Sequence, residues 1–238
     1  MNYLLEVCLL VTLAAGATPA IGAAQSPTIA AQTMQKGVSV ELPVTSNAAA
    51  MPDADQEDAL IVSVTDDGSV YFGVDPISPA ALAEKVRDRL SNRTERKLYI
   101  KADARTPYAN VVKVLAAMRT AGVEAPNLLT APRDSSGPGT RIPPKGLEVL
   151  IGPPLRAGSE AIIVQVLNSE HQRPALKINN EPVQRATLQG RLRQLLRNRS
   201  ENVVHIQADA TLPFGAVVDA IDVCHSTGVK VVVVAPVR

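Results

Sequence analysis

The sequence predicts an α+β fold in which one small ββαβαβ-like unit occurs twice, with the helices on one face of a mixed sheet and one apolar helix before the first unit. The main observation is a repeated segment, IKADARTPY at residues 100–108 and IQADATLPF at residues 206–214. Asp103 and Asp209 are separated by the same number of residues as the glycines at 122 and 228 (209 − 103 and 228 − 122 are both 106). Strand, acidic turn, proline-started helix and terminal glycine recur in the same order, which indicates an internal duplication.

Composition agrees with two small globular units. The chain has 238 residues, 46% hydrophobic and 20% charged, which suits two domains of about 100 residues with aliphatic cores. The formal net charge of +1 argues against a nucleic-acid partner, because such proteins carry a basic patch. Cys8 and Cys224 lack the Cys/His spacing of a metal site, so we predict two buried thiols, no metal and no cofactor.

Residues 1–24 are predicted as either a transmembrane anchor or a signal-like segment. Residues 7–24 are mostly apolar or small, close to the minimum length of a spanning helix. The basic residues that follow are sparse, which permits export of the body of the chain under both interpretations. Glu6 stands where a signal peptide carries positive charge and favours an anchor, whereas Pro19 and the Ala-Gly-Ala run at 15–17 favour a cleaved signal.

Residues 25–58 are predicted as a stalk that contains one short strand and a linker. Val38, Val40 and Leu42 alternate with polar residues before a proline, the pattern of a strand with one buried face. Residues 44–58 are rich in Ala, Asp, Asn and Pro and are predicted as the linker. Because a short strand beside flexible segments can add to a sheet edge, these three apolar residues are candidates for partner binding.

The first unit is predicted over residues 59–132. A strand at 60–64 and a returning strand at 70–72 flank Asp-Asp-Gly, a hairpin-turn sequence. Ser78 and Pro79 form a helix start. The remaining predicted elements are a helix with Leu82, Val86 and Leu90 inward, a strand at 98–102, a helix begun by Pro107 with Val111, Leu115 and Met118 inward and ended by Gly122, and a strand at 127–130.

The second unit is predicted over residues 145–238, after an interdomain linker at 133–144 that is rich in Ser, Gly and Pro. The early strand recurs too, since Lys-Gly-Leu at 145–147 matches Lys-Gly-Val at 36–38. The remaining predicted elements are a strand at 162–166, a strand at 176–178, an Asn179–Asn180 turn, a helix with Leu188, Leu192 and Leu195 inward, a strand at 203–206, a helix from Pro213 to Gly228 and a strand at 230–234.

These stretches resemble the ExbD/TolR family of ion-driven envelope motor subunits. The resemblance is carried by QKGVSVELP at residues 35–43, the strand-turn-strand at 60–72 and the Ala-Asp segment with its Pro-aromatic helix, and a looser copy runs over 145–236. The resemblance implies one transmembrane helix, a cytoplasmic N-terminus, a periplasmic C-terminal part and a place in the bacterial inner membrane. It also implies an ExbB/TolQ-like channel partner, a TonB/TolA-like envelope protein or the cell wall as a second partner, and no enzymatic activity.

Glu6 is the proton-responsive candidate. The segment LLEVCLLV at residues 4–11 is similar to the family's Leu-Val-Asp-Val-Met-Leu-Val-Leu helix, with Glu6 at the position of the protonatable aspartate. A carboxylate inside a membrane is costly unless it is protonated, paired or in contact with water. At the membrane edge the same residue would simply be solvated.

The turn aspartates Asp103 and Asp209 are the remaining partner-binding candidates. Their plainer role is a polar residue close to a helix N-terminus, where negative charge is favoured. The resemblance implies pairing of the domains, so we expect either a pseudo-dimer of the two units within one chain or a homo-oligomer. The sequence thus predicts a membrane-anchored subunit of a proton-driven envelope complex, with a soluble periplasmic binding or scaffold protein as the alternative.

Overall fold

The structure is a computed structural model that describes residues 38–91, 93, 97–133, 144–153, 155, 160–169, 173–197 and 199–234. These residues belong to one compact unit, which spans residues 31–238. The predicted N-terminal helix and most of the predicted interdomain linker lie outside them. None of the helices in the described ranges is long and apolar enough to cross a membrane.

The described part of the first repeat contains seven strands, one 3₁₀ helix and two α-helices. In chain order they are β1 Val44–Thr45, β2 Ala49–Ala50, the 3₁₀ helix Pro52–Asp55, β3 Leu60–Val64, β4 Val70–Phe72, β5 Asp75–Pro76, α1 Pro79–Ser91, β6 Leu98–Ala102, α2 Tyr108–Thr120 and β7 Asn127–Pro132.

Seven strands and two α-helices also lie in the described residues of the second repeat. In chain order they are β8 Lys145–Glu148, β9 Leu150–Ile151, β10 Ile162–Leu167, β11 Ala175–Ile178, β12 Glu181–Val183, α3 Arg185–Leu196, β13 Val203–Ala208, α4 Phe214–His225 and β14 Lys230–Val233.

The described strands form two mixed sheets, which confirms the predicted α+β class. The first sheet has the order β2-β8-β7-β6-β3-β4-β5, and β1 also pairs with β7. The second has the order β12-β11-β10-β13-β14-β9. In each repeat an antiparallel hairpin is followed by parallel strands joined through helices, as β3, β6 and β7 show. Parallel neighbours need such crossover connections, and helices supply them.

The α-helices bury the apolar stripes that the sequence predicts. Leu82, Val86 and Leu90 of α1 are buried against the sheet, and α2 buries Val111, Leu115 and Met118 in the same core. In α3 the fully buried stripe is Leu188, Leu192 and Leu196, and the predicted Leu195 is half-buried and packs against the same core. A spacing of four residues keeps a side chain on one helix face, and the third leucine of α3 obeys it.

Short local signals end the elements where expected. Gly122 and Gly228 have φ angles of +82° and +75° directly after α2 and α4. This left-handed conformation closes a helix without the steric cost that a side chain would add. Asn179 and Asn180 also have positive φ and form the predicted turn between β11 and β12. Ser78 accepts a hydrogen bond from the Ala81 amide at the start of α1.

The prediction of a linker at residues 44–58 is wrong. This segment holds β1, β2 and the 3₁₀ helix, and it covers the face of the first sheet opposite the α-helices. Ala54 is buried there against Ile61, Tyr99 and Leu129, with Met51 packed beside them. Every residue of β3 is buried, so both faces of this sheet need a cover. Burial of small apolar residues therefore outweighs the turn-like composition of the segment.

The predicted strand at residues 38–42 is also wrong. These residues have no strand pairing, and the strand β1 begins after Pro43. The reason is a side chain: the Glu41 amide donates to an Asp103 carboxylate oxygen at 2.9 Å, and the Glu41 carbonyl accepts from the Ala104 amide at 2.7 Å. The backbone groups of Glu41 are therefore satisfied by the turn at Asp103 and Ala104 rather than by a ladder of strand hydrogen bonds.

The predicted early strand of the second repeat is confirmed as β8, but it pairs within the first sheet and not with the strands of its own repeat. β8 lies between β7 and β2, antiparallel to both. The chain then continues into β9, which pairs in parallel with β14 of its own repeat. One short segment thus joins the two sheets.

Candidate functional site

The candidate site is the junction between the two repeats, where both turn aspartates lie. Glu6, the proton-responsive candidate, is outside the described residues. The other predicted residues are described. Asp103 lies close to the segment that carries Val38, Val40 and Leu42, because it accepts a hydrogen bond from the amide of Glu41 in that segment.

Asp103 is a buried carboxylate with all of its contacts inside the chain. Its side chain is 3% exposed. One oxygen accepts from the backbone amide and Nε of Arg105 at 3.0 and 2.9 Å, and the other accepts from Arg105 Nη2 and the Glu41 amide at 3.0 and 2.9 Å. The Arg105 side chain and these amides lower the pKa of Asp103 from 3.8 to about 2. Asp103 therefore fastens residues 38–43 to the turn between β6 and α2.

Arg105 is the cation of a small acidic cluster. It is 61% exposed, and Glu41 and Asp66 lie 3.5 and 3.7 Å from its guanidinium in addition to Asp103. Three carboxylates around one guanidinium leave this surface with excess negative charge. Arg105 is not among the predicted site residues, although its place two residues after Asp103 is the ordinary spacing of a local turn contact.

Asp209 holds the same position in the second repeat with fewer contacts. One carboxylate oxygen accepts from the backbone amide and hydroxyl of Thr211 at 2.9 and 2.8 Å. These two bonds lower the pKa of Asp209. In place of Arg105 the second repeat has this threonine, and the Asn168 backbone amide also contributes to the lowered pKa of Asp209.

Val38, Val40 and Leu42 are half-buried rather than arranged along a free strand edge. Leu42 packs against the buried cluster behind the first sheet that includes Ile61 and Tyr99. Leu42 thus contributes to the cover of that sheet, and the role of all three residues in partner binding stays a prediction.

The two repeats pair directly through the segments that follow the turn aspartates. The Tyr108 amide donates to the Leu212 carbonyl at 2.8 Å, and the Phe214 amide donates to the Thr106 carbonyl at 2.9 Å. Two further bonds join the amides at 109 and 215 to the carbonyls at 210 and 104, at 2.9 and 2.8 Å. Each bond has its counterpart at the constant offset of the repeats, so the junction has a pseudo-twofold relation and the chain forms an intramolecular pair.

Tyr108 and Phe214 are equivalent residues at this junction, and both are about 1% exposed. Phe214 is an ordinary core residue. The Tyr108 hydroxyl is buried and has no hydrogen-bond partner among the described residues. Burial raises the pKa of Tyr108 well above its usual value. The tyrosine therefore carries the cost of a desolvated hydroxyl that its counterpart does not.

Replacing Tyr108 with phenylalanine is expected to raise the free energy of unfolding by about 1 kcal/mol, because it removes an unsatisfied hydroxyl and keeps the ring. Urea denaturation would measure the change. The matched reverse exchange, Phe214→Tyr, should lower stability by about 1–2 kcal/mol. A Tyr108→Phe variant less stable than the parent would show that the hydroxyl has a partner.

Asp222 is a further buried carboxylate at the junction, and the sequence analysis missed it. It lies on α4 and is 3% exposed. Its oxygens accept from the backbone amides of Ser46 and Asn47 at 3.1 and 2.8 Å and from the Asn47 side-chain amide at 3.1 Å. Two features of the sequence point to Asp222: it is an acidic residue in the apolar stripe of α4, and its counterpart in α2 is Ala116.

The buried carboxylates at the junction hold segments of the chain in place. The carboxylates of Asp103 and Asp222 are each saturated by donors from the chain itself. No group of His, Cys, Asp and Glu side chains in the described part of the chain could hold a metal ion. Burial raises the pKa of the Cys224 thiol to about 12, so this cysteine is a poor nucleophile.

Comparison with known proteins agrees with the repeated architecture. The family model described as biopolymer transport protein ExbD/TolR matches residues 27–133 and again residues 143–236. The Tol-Pal system protein TolR of Pseudomonas aeruginosa is 28% identical over 113 residues, which cover 43% of this chain and 77% of that protein. Members of the family are non-enzymatic subunits of envelope transport and energy transduction, with an inner-membrane location and periplasmic domains. Because the two family segments together span most of its length, the chain belongs to the ExbD/TolR family, and the family domain is present in it twice.

Proposed function

We propose that this chain is a membrane-anchored periplasmic subunit of a proton-motive-force-driven complex that transfers energy across the bacterial envelope. The observation that carries the proposal is the family match over both repeats. In this proposal residues 1–24 are the single anchor, with the N-terminus in the cytoplasm and the repeats in the periplasm. The protein acts by binding partners and is not an enzyme.

Glu6 is the proposed proton-responsive group. The run LLEVCLLV places it among apolar residues. One elementary charge that crosses a potential of 100 mV releases about 2.3 kcal/mol, enough to bias a conformational change in an attached domain. An ExbB/TolQ-like channel subunit is the proposed partner in the membrane. A TonB/TolA-like envelope protein or the cell wall is the proposed partner of the periplasmic part.

The paired repeats support a role as a preassembled partner-binding body. Their junction is closed by backbone hydrogen bonds in both directions and by the Asp222 contact to the segment at 46–47. Covalent linkage keeps the two repeats together at any protein concentration. Asp209, whose contacts are fewer than those of Asp103, is the turn aspartate that we propose for contact with a partner.

The location of the mature protein tests the anchor. Intact mass would be measured separately for the membrane and soluble fractions of cells that express the full chain. Full-length mass in the membrane fraction is the expected result. A soluble product that begins near Thr18 or Gln25 would instead favour a periplasmic binding or scaffold protein, an alternative that Pro19 and the small residues at 15–17 support.

Replacing Glu6 with glutamine is expected to abolish complementation of a deletion strain, because glutamine keeps the size of the side chain and cannot ionise. Growth under envelope stress would be the readout, with the amount of protein in the membrane measured in parallel. Glu6→Asp is the control and should retain activity. Full complementation by Glu6→Gln at equal protein level would refute proton work at this residue.

A further inference from the structure

The two second helices of the repeats face quasi-equivalent junctions, and among the described residues only the junction at α4 is filled by a crossing segment. Helix α4 contacts β1 and β8 at the edge of the first sheet, and α2 contacts β9 at the edge of the second. At α4 the space is taken by Ser46 and Asn47, which are fastened to Asp222. At α2 the corresponding space is a cavity of about 490 Å³.

The difference follows from the residues on the two helices. Asp222 of α4 corresponds to Ala116 of α2, and His225 corresponds to Arg119. Without the carboxylate, α2 offers no acceptor for the backbone of a crossing segment, and the small side chain of Ala116 leaves space. The filled junction shows that this helix face accepts an extended stretch of chain, since Ser46 and Asn47 present consecutive amides to it.

The walls of the open cavity are aliphatic. Its apolar lining consists of Val112, Leu115, Ala116, Ile151, Val233 and Val234. A concave surface of this size and composition accepts one or two aliphatic side chains of a ligand, as small binding pockets do.

The rim of the cavity is positively charged. Arg119 lines it, and its Nη1 donates only a long hydrogen bond of 3.4 Å to the Gly152 carbonyl. Among the described residues no carboxylate forms an ion pair with Arg119. A second guanidinium lies close, because Arg87 donates to the carbonyl of Thr120, another lining residue, at 3.1 Å. A guanidinium with free N–H groups is suited to a carboxylate, which it can hold through two parallel hydrogen bonds.

We propose that this cavity binds an extended segment of a partner protein that carries an aliphatic side chain next to an acidic one. The aliphatic side chain enters the space above Ala116, and the carboxylate pairs with Arg119 at the rim. The site is the open counterpart of the junction that residues 46–47 fill in the other half of the molecule. Binding at this site requires neither membrane anchoring nor proton coupling. The test of this site is therefore independent of the test of the function proposed above.

Selection of displayed random nonapeptides against the purified full-length chain in detergent tests the site. Peptides would be counter-selected on the Ala116→Trp variant, in which an indole fills the cavity from an exposed helix position. We expect the recovered peptides to share Val, Leu or Ile next to Asp or Glu. A synthetic peptide of the recovered sequence should bind the Ala116→Trp variant at least about tenfold more weakly than the parent.

Reversal of the rim charge separates the two parts of the proposal. Arg119→Glu lies on the exposed face of α2, so the fold should tolerate it, and it should weaken the same peptide about tenfold. Arg191→Glu on α3 is the matched control and should leave binding within about twofold, since this residue lies outside the cavity. Recovery of no peptide that distinguishes the parent from Ala116→Trp would overturn the site. Recovered peptides without a carboxylate, or indifferent to Arg119→Glu, would overturn the acidic partner.

Discussion

Replacing Asp103 with asparagine is expected to lower the free energy of unfolding by about 2 kcal/mol at pH 7 and low salt. The carboxylate accepts four hydrogen bonds from Arg105 and the Glu41 amide, and its pKa of about 2 lies below the ordinary value of 3.8. Asparagine would present an amide NH₂ to donors that already point at the site. Urea denaturation would measure the loss.

The loss depends on pH in a defined direction. Because the pKa of Asp103 is lower in the folded than in the unfolded chain, the contribution of the ionised group is fully present above the ordinary value of 3.8. It disappears as the pH falls through about 2. The stability difference between the parent and Asp103→Asn should therefore be constant near neutrality and shrink progressively below about pH 4. Salt should reduce part of it, because the Arg105 side chain is 61% exposed.

Asp209→Asn is the matched control for this prediction. Asp209 has the same place in the second repeat, but its described donors are Thr211 and the Asn168 backbone amide rather than an arginine side chain, and an asparagine carbonyl oxygen can accept the two bonds from Thr211. Its effect should stay within about 0.5 kcal/mol, as for most surface substitutions. Equal losses in both variants, or a loss at Asp103 that does not change below pH 4, would contradict the assigned role of the Arg105 and Glu41 contacts.

The order of strands and helices within each repeat could be predicted because its signals are local. A glycine with positive φ ends a helix wherever the chain places it, and Gly122 and Gly228 do so. The Asn179–Asn180 turn and the Ser78 cap act over two or three residues. Such signals need no knowledge of the tertiary structure, and the duplication allowed each to be checked against a second copy.

The cover of the first sheet could not be predicted in the same way. Residues 44–58 have the composition of a linker, and the burial of Met51 and Ala54 depends on Ile61 and Tyr99 of strands far along the chain. The pairing of β8 with β7 could not be predicted from the sequence either. The strand itself has a recognisable pattern, but a pattern of alternating residues does not specify which sheet edge the strand joins.

The candidate site also combines features that local sequence signals predict with contacts between residues far apart in the chain. Asp103 was recognised from its repeated position, yet its partner Glu41 lies 62 residues away. Asp222 cannot be recognised from the apolar members of the helix stripe alone. A residue-by-residue comparison of the two copies finds Ala116 opposite Asp222, and the surroundings of these two positions differ.

Replacing Asp222 with alanine is expected to lower the free energy of unfolding by about 2–3 kcal/mol and to release residues 46–47 from α4. Hydrogen bonds to an ionised acceptor contribute about 1.5–3 kcal/mol each, but Ser46 and Asn47 are exposed and regain bonds to water, so their contributions do not add fully. Hydrogen exchange of the Ser46 and Asn47 amides should accelerate at least about tenfold, since each loses its acceptor. Urea denaturation would give the stability change.

Asp219→Ala on the same helix is the control for this release. Asp219 forms an ion pair with Arg185 at the surface, and such pairs contribute about 1 kcal/mol at most. The control should therefore leave exchange at Ser46 and Asn47 unchanged. If Asp222→Ala leaves it unchanged too, the carboxylate is not what holds this segment on α4. If only Asp222→Ala accelerates it, the absence of a carboxylate at Ala116 accounts for the open junction on α2, because a crossing segment there has no acceptor to hold it.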